Sequence, residues 1–111
     1  MTQLKNLNLW RVAITDAGVA HLARLTSMES LNLDNTQLSD IGMPALAGMT
    51  KLTFLHLGST AITDDGLVHL EKLKSLRDLK LTRTAVTEAA AEQLGEKLSD
   101  TKIQLKYIEG Q

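Results

Sequence analysis

The chain has 111 residues, room for one small domain, and pairs 43% hydrophobic content with only 3% aromatic residues, so its core is aliphatic. Twelve Lys and Arg against thirteen Asp and Glu exclude the basic excess of a dedicated nucleic-acid or polybasic membrane binder. The absence of cysteine excludes a disulfide framework, a thiolate zinc site and a cysteine nucleophile, and no apolar run approaches the roughly 18 residues of a membrane span.

The opening MTQLKNLNLW carries no secretory apolar region, and a cytoplasmic origin fits. From Leu4 onward the chain matches itself when shifted by 24 residues. Leu4, Met28, Leu52 and Leu76 align, as do Leu7, Leu31, Leu55 and Leu79, then Leu9, Leu33, Leu57 and Leu81. Around these leucines apolar and polar residues alternate, the period-two sign of a half-buried strand. Strands are predicted at about residues 6–10, 30–34, 54–58, 78–82 and 102–106. Each of the first four is followed by a Thr or Ser (Thr15, Ser39, Thr63, Thr87) and then by apolar residues three and four apart. That order predicts a short helix whose N-cap hydroxyl accepts from orphan amides. The acids that follow, Asp16, Asp40, Asp64 and Glu88, fall in the first turn, where the helix dipole favours negative charge. Pro44 lies just past the first turn of the second helix, which is expected to start late or to be distorted. The last helical region is longer and richer in Ala, Glu and Lys, and Leu98 stands in for the leucine lost at Asp100.

The unit L-x-x-L-x-L-x-x-T-x-[IV]-T-D-x-G-L resembles the leucine-rich repeat family along the whole chain, from Leu4 to about Ile108. Its second half is similar to the ribonuclease-inhibitor and F-box type, seen also in bacterial members. The resemblance implies an α/β fold: a right-handed strand–helix solenoid with a parallel sheet on its concave face and helices outside. Residues 1–111 then form a single domain of four 24-residue repeats from residue 4, plus a fifth strand as C-terminal cap and no N-terminal cap. The bare start points to an excised fragment, an engineered chain or a surface covered by another chain. Thr36, Thr60 and Thr84 stand where many members carry Asn, and their hydroxyls are expected to bond backbone groups of the turn. Val12 and Ile108 replace them at the two ends.

Catalysis finds little support. His21 and His69 are two repeats apart on predicted helices, and His56 lacks both a Cys partner and H-E-x-x-H spacing. No G-x-S-x-G elbow or phosphate-binding glycine loop is present. The acids Asp16, Asp40, Asp64 and Asp65 line one edge, but helix-start charge explains them more simply than a metal does. No catalytic residue, metal or cofactor is expected.

The outward strand positions are more informative. They form the series Asn6, Ser30, Phe54, Asp78, Lys102 and the series Asn8, Asn32, His56, Lys80, Gln104. A third series is Trp10, Asp34, Gly58, Thr82, Lys106, and a fourth is Arg11, Asn35, Ser59, Arg83, Tyr107. The one Trp, one Phe and one Tyr of the chain all fall in this set. Aromatics beside Arg and His are the composition of interface hot spots, so Trp10, Phe54, His56, Lys80, Arg83 and Tyr107 are the candidate partner-binding residues. Singly exposed aromatics are also ordinary surface residues, which is the plain alternative. Arg77, Lys80, Arg83, Lys102 and Lys106 gather toward the last two strands against Asp78, so a partner protein or peptide with an acidic segment is expected to dock there. The competing role is structural: a homodimer through the uncapped edge of the first strand.

Overall fold

A computed structural model describes residues 3–106. Five parallel strands lie side by side in sequence order: β1 (Asn6–Asn8), β2 (Ser30–Asn32), β3 (Phe54–His56), β4 (Asp78–Lys80) and β5 (Lys102–Gln104). Each strand pairs with the next at a shift of one repeat, so Leu7, Leu31, Leu55, Leu79 and Ile103 form one row across the sheet. The strands start where the sequence placed them but are three residues long rather than five. The inter-strand bonds nevertheless run on, with Leu9 N donating to Asn32 O, Leu33 N to His56 O and Leu57 N to Lys80 O.

Two residues later the chain turns through the left-handed region at Arg11, Asn35, Ser59 and Arg83, with φ between 52 and 61°. Such a conformation is uncommon for a residue with a Cβ. It is held here by further cross-repeat bonds, Arg11 N to Asp34 O, Asn35 N to Gly58 O and Ser59 N to Thr82 O. The turn threonines behave as expected: Thr36, Thr60 and Thr84 donate to Leu33 O, Leu57 O and Leu81 O at 2.8, 2.7 and 2.8 Å. Val12 takes that place in the first unit and is exposed, while Ile108 lies outside the described residues.

The return path differs from unit to unit. The first has a short helix α1 (Asp16–Ala20) running into a 3₁₀ turn, His21–Arg24. The second and third are 3₁₀ segments, Asp40–Leu46 and Asp64–Leu70, and the fourth is the ten-residue helix α2 (Glu88–Lys97). The second segment does not start late, and Pro44 lies inside it. Pro44 is not what makes it 3₁₀, because the third segment takes the same form with Val68 at that position. The core runs between the two layers and is aliphatic throughout, with Met28, Leu52 and Leu76 and the two inner strand leucines of each middle unit fully buried. Leu98 is buried as well. In the first layer Leu4, Leu7, Leu9 and Ile14 are only partly buried.

The acids are more than helix-start charges. Asp16 accepts from the backbone N–H and hydroxyl of Ser39 at 2.7 and 2.5 Å. Asp40 does the same to Thr63 at 2.8 and 2.5 Å, and Asp64 to Thr87 at 2.7 and 2.8 Å. Each of the three joints between the four full units thus carries a two-pronged carboxylate clasp, while the clasped hydroxyl also accepts from its own segment's amide in each case. Thr15 occupies the equivalent N-cap position without such a side-chain bond, contrary to the expectation for all four. The glycines answer to the same contact: a Cβ at Gly42 would lie 2.6 Å from Asp16 Oδ1, and one at Gly66 2.5 Å from Asp40 Oδ1. In the fourth unit Glu88 and Ala90 replace the Asp and Gly, the return path is the α-helix α2, and Asp64 still clasps Thr87.

Candidate functional site

The outward-facing sheet surface is built by three devices that recur in register. The first is a local bond from strand residue to turn. Asn8 Oδ1 accepts from Trp10 N at 3.0 Å and Asn32 Oδ1 from Asp34 N at 2.8 Å, both two residues apart. In the third unit His56 takes over the task, its Nδ1 accepting from Gly58 N at 3.1 Å. Lys80 has no acceptor to offer. Its ammonium turns sideways, donating to Gln104 Oε1 at 3.0 Å and standing 3.9 Å from Asp78 Oδ1.

The second device is a missing side chain. Along the row Trp10, Asp34, Gly58, Thr82 only Gly58 leaves its place empty. A Cβ there would meet His56 Cε1 and Thr82 Oγ1 at 2.7 Å and Asp34 Oδ1 at 3.1 Å. Three neighbouring side chains therefore converge over one glycine and frame a depression of about 270 Å³. Asp34 and His56 form one side of it, and Lys80 and Arg83 the other. Ser59, Thr82 and Gln104 complete the wall. Thr82, expected to point outward, is instead only 6% exposed as part of that wall.

The third device is the left-handed turn, which brings Ser59 and Arg83 to the rim of the depression from beyond the ends of β3 and β4.

His56 is the most constrained group of the site. Its accepting Nδ1 leaves the ring proton on Nε2, which faces Asp34 Oδ2 at 4.0 Å. Burial holds its pKa below the ordinary value of 6.5; Asp34 and Asp78 pull it up, Lys80 pushes it down, and burial prevails. The ring of Phe54 meets that of His56 edge to face, centroids 6.4 Å apart.

The candidate residues are thus partly gathered. His56, Lys80 and Arg83 line the depression, and Phe54 touches it through His56. Trp10 stands apart on the first strand's turn, 54% exposed, with the Arg11 guanidinium 5.4 Å over its ring. Tyr107 lies outside the described residues. The expected basic cluster is more dispersed than the sequence order indicates. Arg77 Nη1 donates to the loop carbonyls of Lys74 and Leu76, and Lys106 Nζ reaches Glu88 at 3.4 Å. Sequence reasoning missed Asp34, Ser59 and Thr82 as partners of His56 around one hollow. The lone glycine in a row of side chains was the signal for it.

Among the described residues no helix is long and apolar enough to cross a membrane, and no three His, Cys, Asp or Glu side chains come together as a metal site. Of the acids along that edge, Asp16, Asp40 and Asp64 are engaged by the Ser and Thr clasps.

The fold has solved counterparts. Internalin C2 from Listeria monocytogenes superposes with a TM-score of 0.78 at 25% identity, over 98% of this chain and 46% of that one. The chain thus spans less than half of that structure. A structure of leiomodin-1 actin-binding site 2 gives 0.71 at 18% identity, covering 97% of this chain and 73% of that one. A leucine-rich-repeat protein of Leptospira interrogans gives 0.57 at 15% identity, covering 94% and 38%. No curated protein sequence matches the chain. A family model described as leucine rich repeat matches residues 2–62, more than half of the sequence, and with the five-strand parallel sheet in unbroken register the chain belongs to the leucine-rich repeat family.

Proposed function

We propose that the chain is a non-catalytic protein-binding module, one domain over residues 1–111, which holds a partner protein or peptide on its concave sheet. The observation that carries this reading is the convergence of His56, Lys80 and Arg83 on one hollow of the sheet surface lined by polar residues, with Phe54 packed beside it. Recognition sites combine an apolar anchor with a few convergent polar groups, and here Phe54 is the anchor. Trp10 extends the contact toward the β1 end of the sheet, and Tyr107 belongs to the same candidate set by its place in the sequence. The formal charges of the hollow are two cations, Lys80 and Arg83, against one carboxylate, Asp34, which favours an acidic segment of the partner over the β4–β5 side. The leiomodin-1 structure bears the name of an actin-binding site, so this fold serves protein binding there; at that identity the likeness carries the fold and not the partner.

The test compares partners retained by the intact chain with those retained by Phe54→Ala, Lys80→Ala and Arg83→Ala, with Ile41→Ala on the opposite, helical side as control. Loss of a retained partner by about thirtyfold or more in affinity, about 2 kcal/mol, is expected for a hot-spot position. Retention by all three sheet variants, with loss in Ile41→Ala, moves the binding surface to the other side.

A second reading is self-association through the outer edge of β1, supported by the partial exposure of Leu4, Leu7, Leu9 and Ile14 in the first layer. Sedimentation equilibrium decides it: a mass fixed at 12.1 kDa up to high micromolar concentration removes the dimer.

A further inference from the structure

We infer that the hollow over Gly58 is a subsite for a carboxylate of an acidic peptide segment, and that a proton on His56 completes its grip. This deepens the protein-binding reading above and rests on it.

The geometry supplies two halves. On the β4 side stand the ammonium of Lys80 and the guanidinium of Arg83, with the hydroxyls of Ser59 and Thr82 along the wall. These are donors that suit a carboxylate. On the other side the imidazole of His56 stands between Asp34 and that basic half, 19% exposed, one nitrogen bonded to Gly58 N and the other toward Asp34. The charged groups facing the ring are Asp34 from the turn after β2 and Lys80 and Asp78 from β4. In the empty hollow they do not offset burial, and the ring is neutral near pH 7. A carboxylate inserted beside Lys80 adds one more negative charge within electrostatic reach of the ring, as Lys80 itself is. That charge favours the imidazolium, and by linkage the imidazolium favours the carboxylate to the same degree. Protonation also ends the bond from Gly58 N, because a protonated Nδ1 has no lone pair to accept with. The ring is then released from the turn, and its Nδ1–H becomes available to the ligand while Nε2–H stays toward Asp34. No other unit has this device: Asn8 and Asn32 accept the same backbone bond from positions equivalent to His56 and do not titrate.

That equivalence supplies the test. His56→Asn places in the third unit the residue that already makes the bond in the first two, so the turn is preserved while the titration is removed. The probe is a hexa-aspartate peptide, whose carboxylates stay ionised between pH 5.5 and 7.5. Its affinity is measured by calorimetry at both pH values, and the His56 imidazole is followed by NMR with and without peptide. The intact chain is expected to bind about fivefold or more tightly at pH 5.5 than at 7.5, with the His56 titration moved upward by the peptide. In His56→Asn the ratio of the two affinities falls to near one, and Lys80→Met weakens binding at both pH values. Equal affinity of the intact chain at the two pH values overturns the proton-completed grip and leaves the acidic-segment reading standing. No binding at either pH, or binding indifferent to Lys80→Met, overturns both.

Discussion

The clasp between units makes a quantitative prediction through Gly66. A methyl group there would lie 2.5 Å from Asp40 Oδ1 and 3.1 Å from Met43 Cγ, and the carboxylate is the firmer obstacle because it is held by Thr63 N and Oγ1. Gly66→Ala therefore displaces the carboxylate and forfeits those bonds. Hydrogen bonds to a charged group contribute about 1.5–3 kcal/mol each, and the part-buried setting argues for the lower end. Losing the pair, less about 1 kcal/mol returned by exchanging Gly for Ala within a helical segment, gives a net cost of about 2 kcal/mol. Asp40→Ala alone costs about 3 kcal/mol, since it removes the same bonds and leaves Thr63 N–H without its partner. In the double variant the obstacle is gone. Gly66→Ala should then return the same gain of about 1 kcal/mol, a coupling of about 3 kcal/mol read from a double-mutant cycle of urea unfolding midpoints. Additivity within about 0.5 kcal/mol refutes the argument that the glycine exists to admit the neighbouring unit's carboxylate.

Two other outcomes follow from local geometry. The folded-state pKa of His56 lies below its unfolded value, so the unfolded chain takes up the proton first as pH falls. Its contribution to stability is full above about pH 6.5 and is lost as pH drops through the folded pKa; urea midpoints between pH 7.5 and 5 should fall more steeply for the intact chain than for His56→Asn. Pro44→Ala should leave the second return segment in 3₁₀ form and change stability by less than about 1 kcal/mol, since the third segment takes that form without a proline; a gain of α-helical circular dichroism contradicts this.

The leucine rows, the start of every strand and the turn threonines were legible because periodicity identifies equivalent positions, and equivalent positions stack. The clasps were not, because they join non-equivalent positions: Asp16 meets Ser39 at a separation of 23 residues, one short of the repeat. Aligned columns place the acid under the acid and the hydroxyl under the hydroxyl, and the bond runs diagonally between columns. The glycine column does not mark the clasp by itself, since Ala90 stands in it while Asp64 still clasps Thr87. The choice between α and 3₁₀ was equally hidden, since both bury residues three and four apart over so short a span. At the candidate site the strand pattern placed His56, Lys80 and Arg83 where they line one hollow, but the bonds that redirect Arg77 and Lys106 depend on side-chain reach that no spacing encodes.

The mixture of return segments also sets the arc of the molecule. A seven-residue 3₁₀ segment rising about 2.0 Å per residue covers roughly 14 Å, and the ten-residue α2 at about 1.5 Å covers roughly 15 Å. The two forms bridge the same gap, but the 3₁₀ segment does so as a thinner rod. Strands repeat at about 4.8 Å and α-helices pack at about 8–10 Å, so an all-α outer layer would drive the units apart like wedges and bend the sheet sharply. Thinner rods in the second and third units narrow the wedge. By that geometry the second and third units bend the sheet under Gly58 less than an all-α layer would, and a partner bound there as proposed would lie extended across several strands.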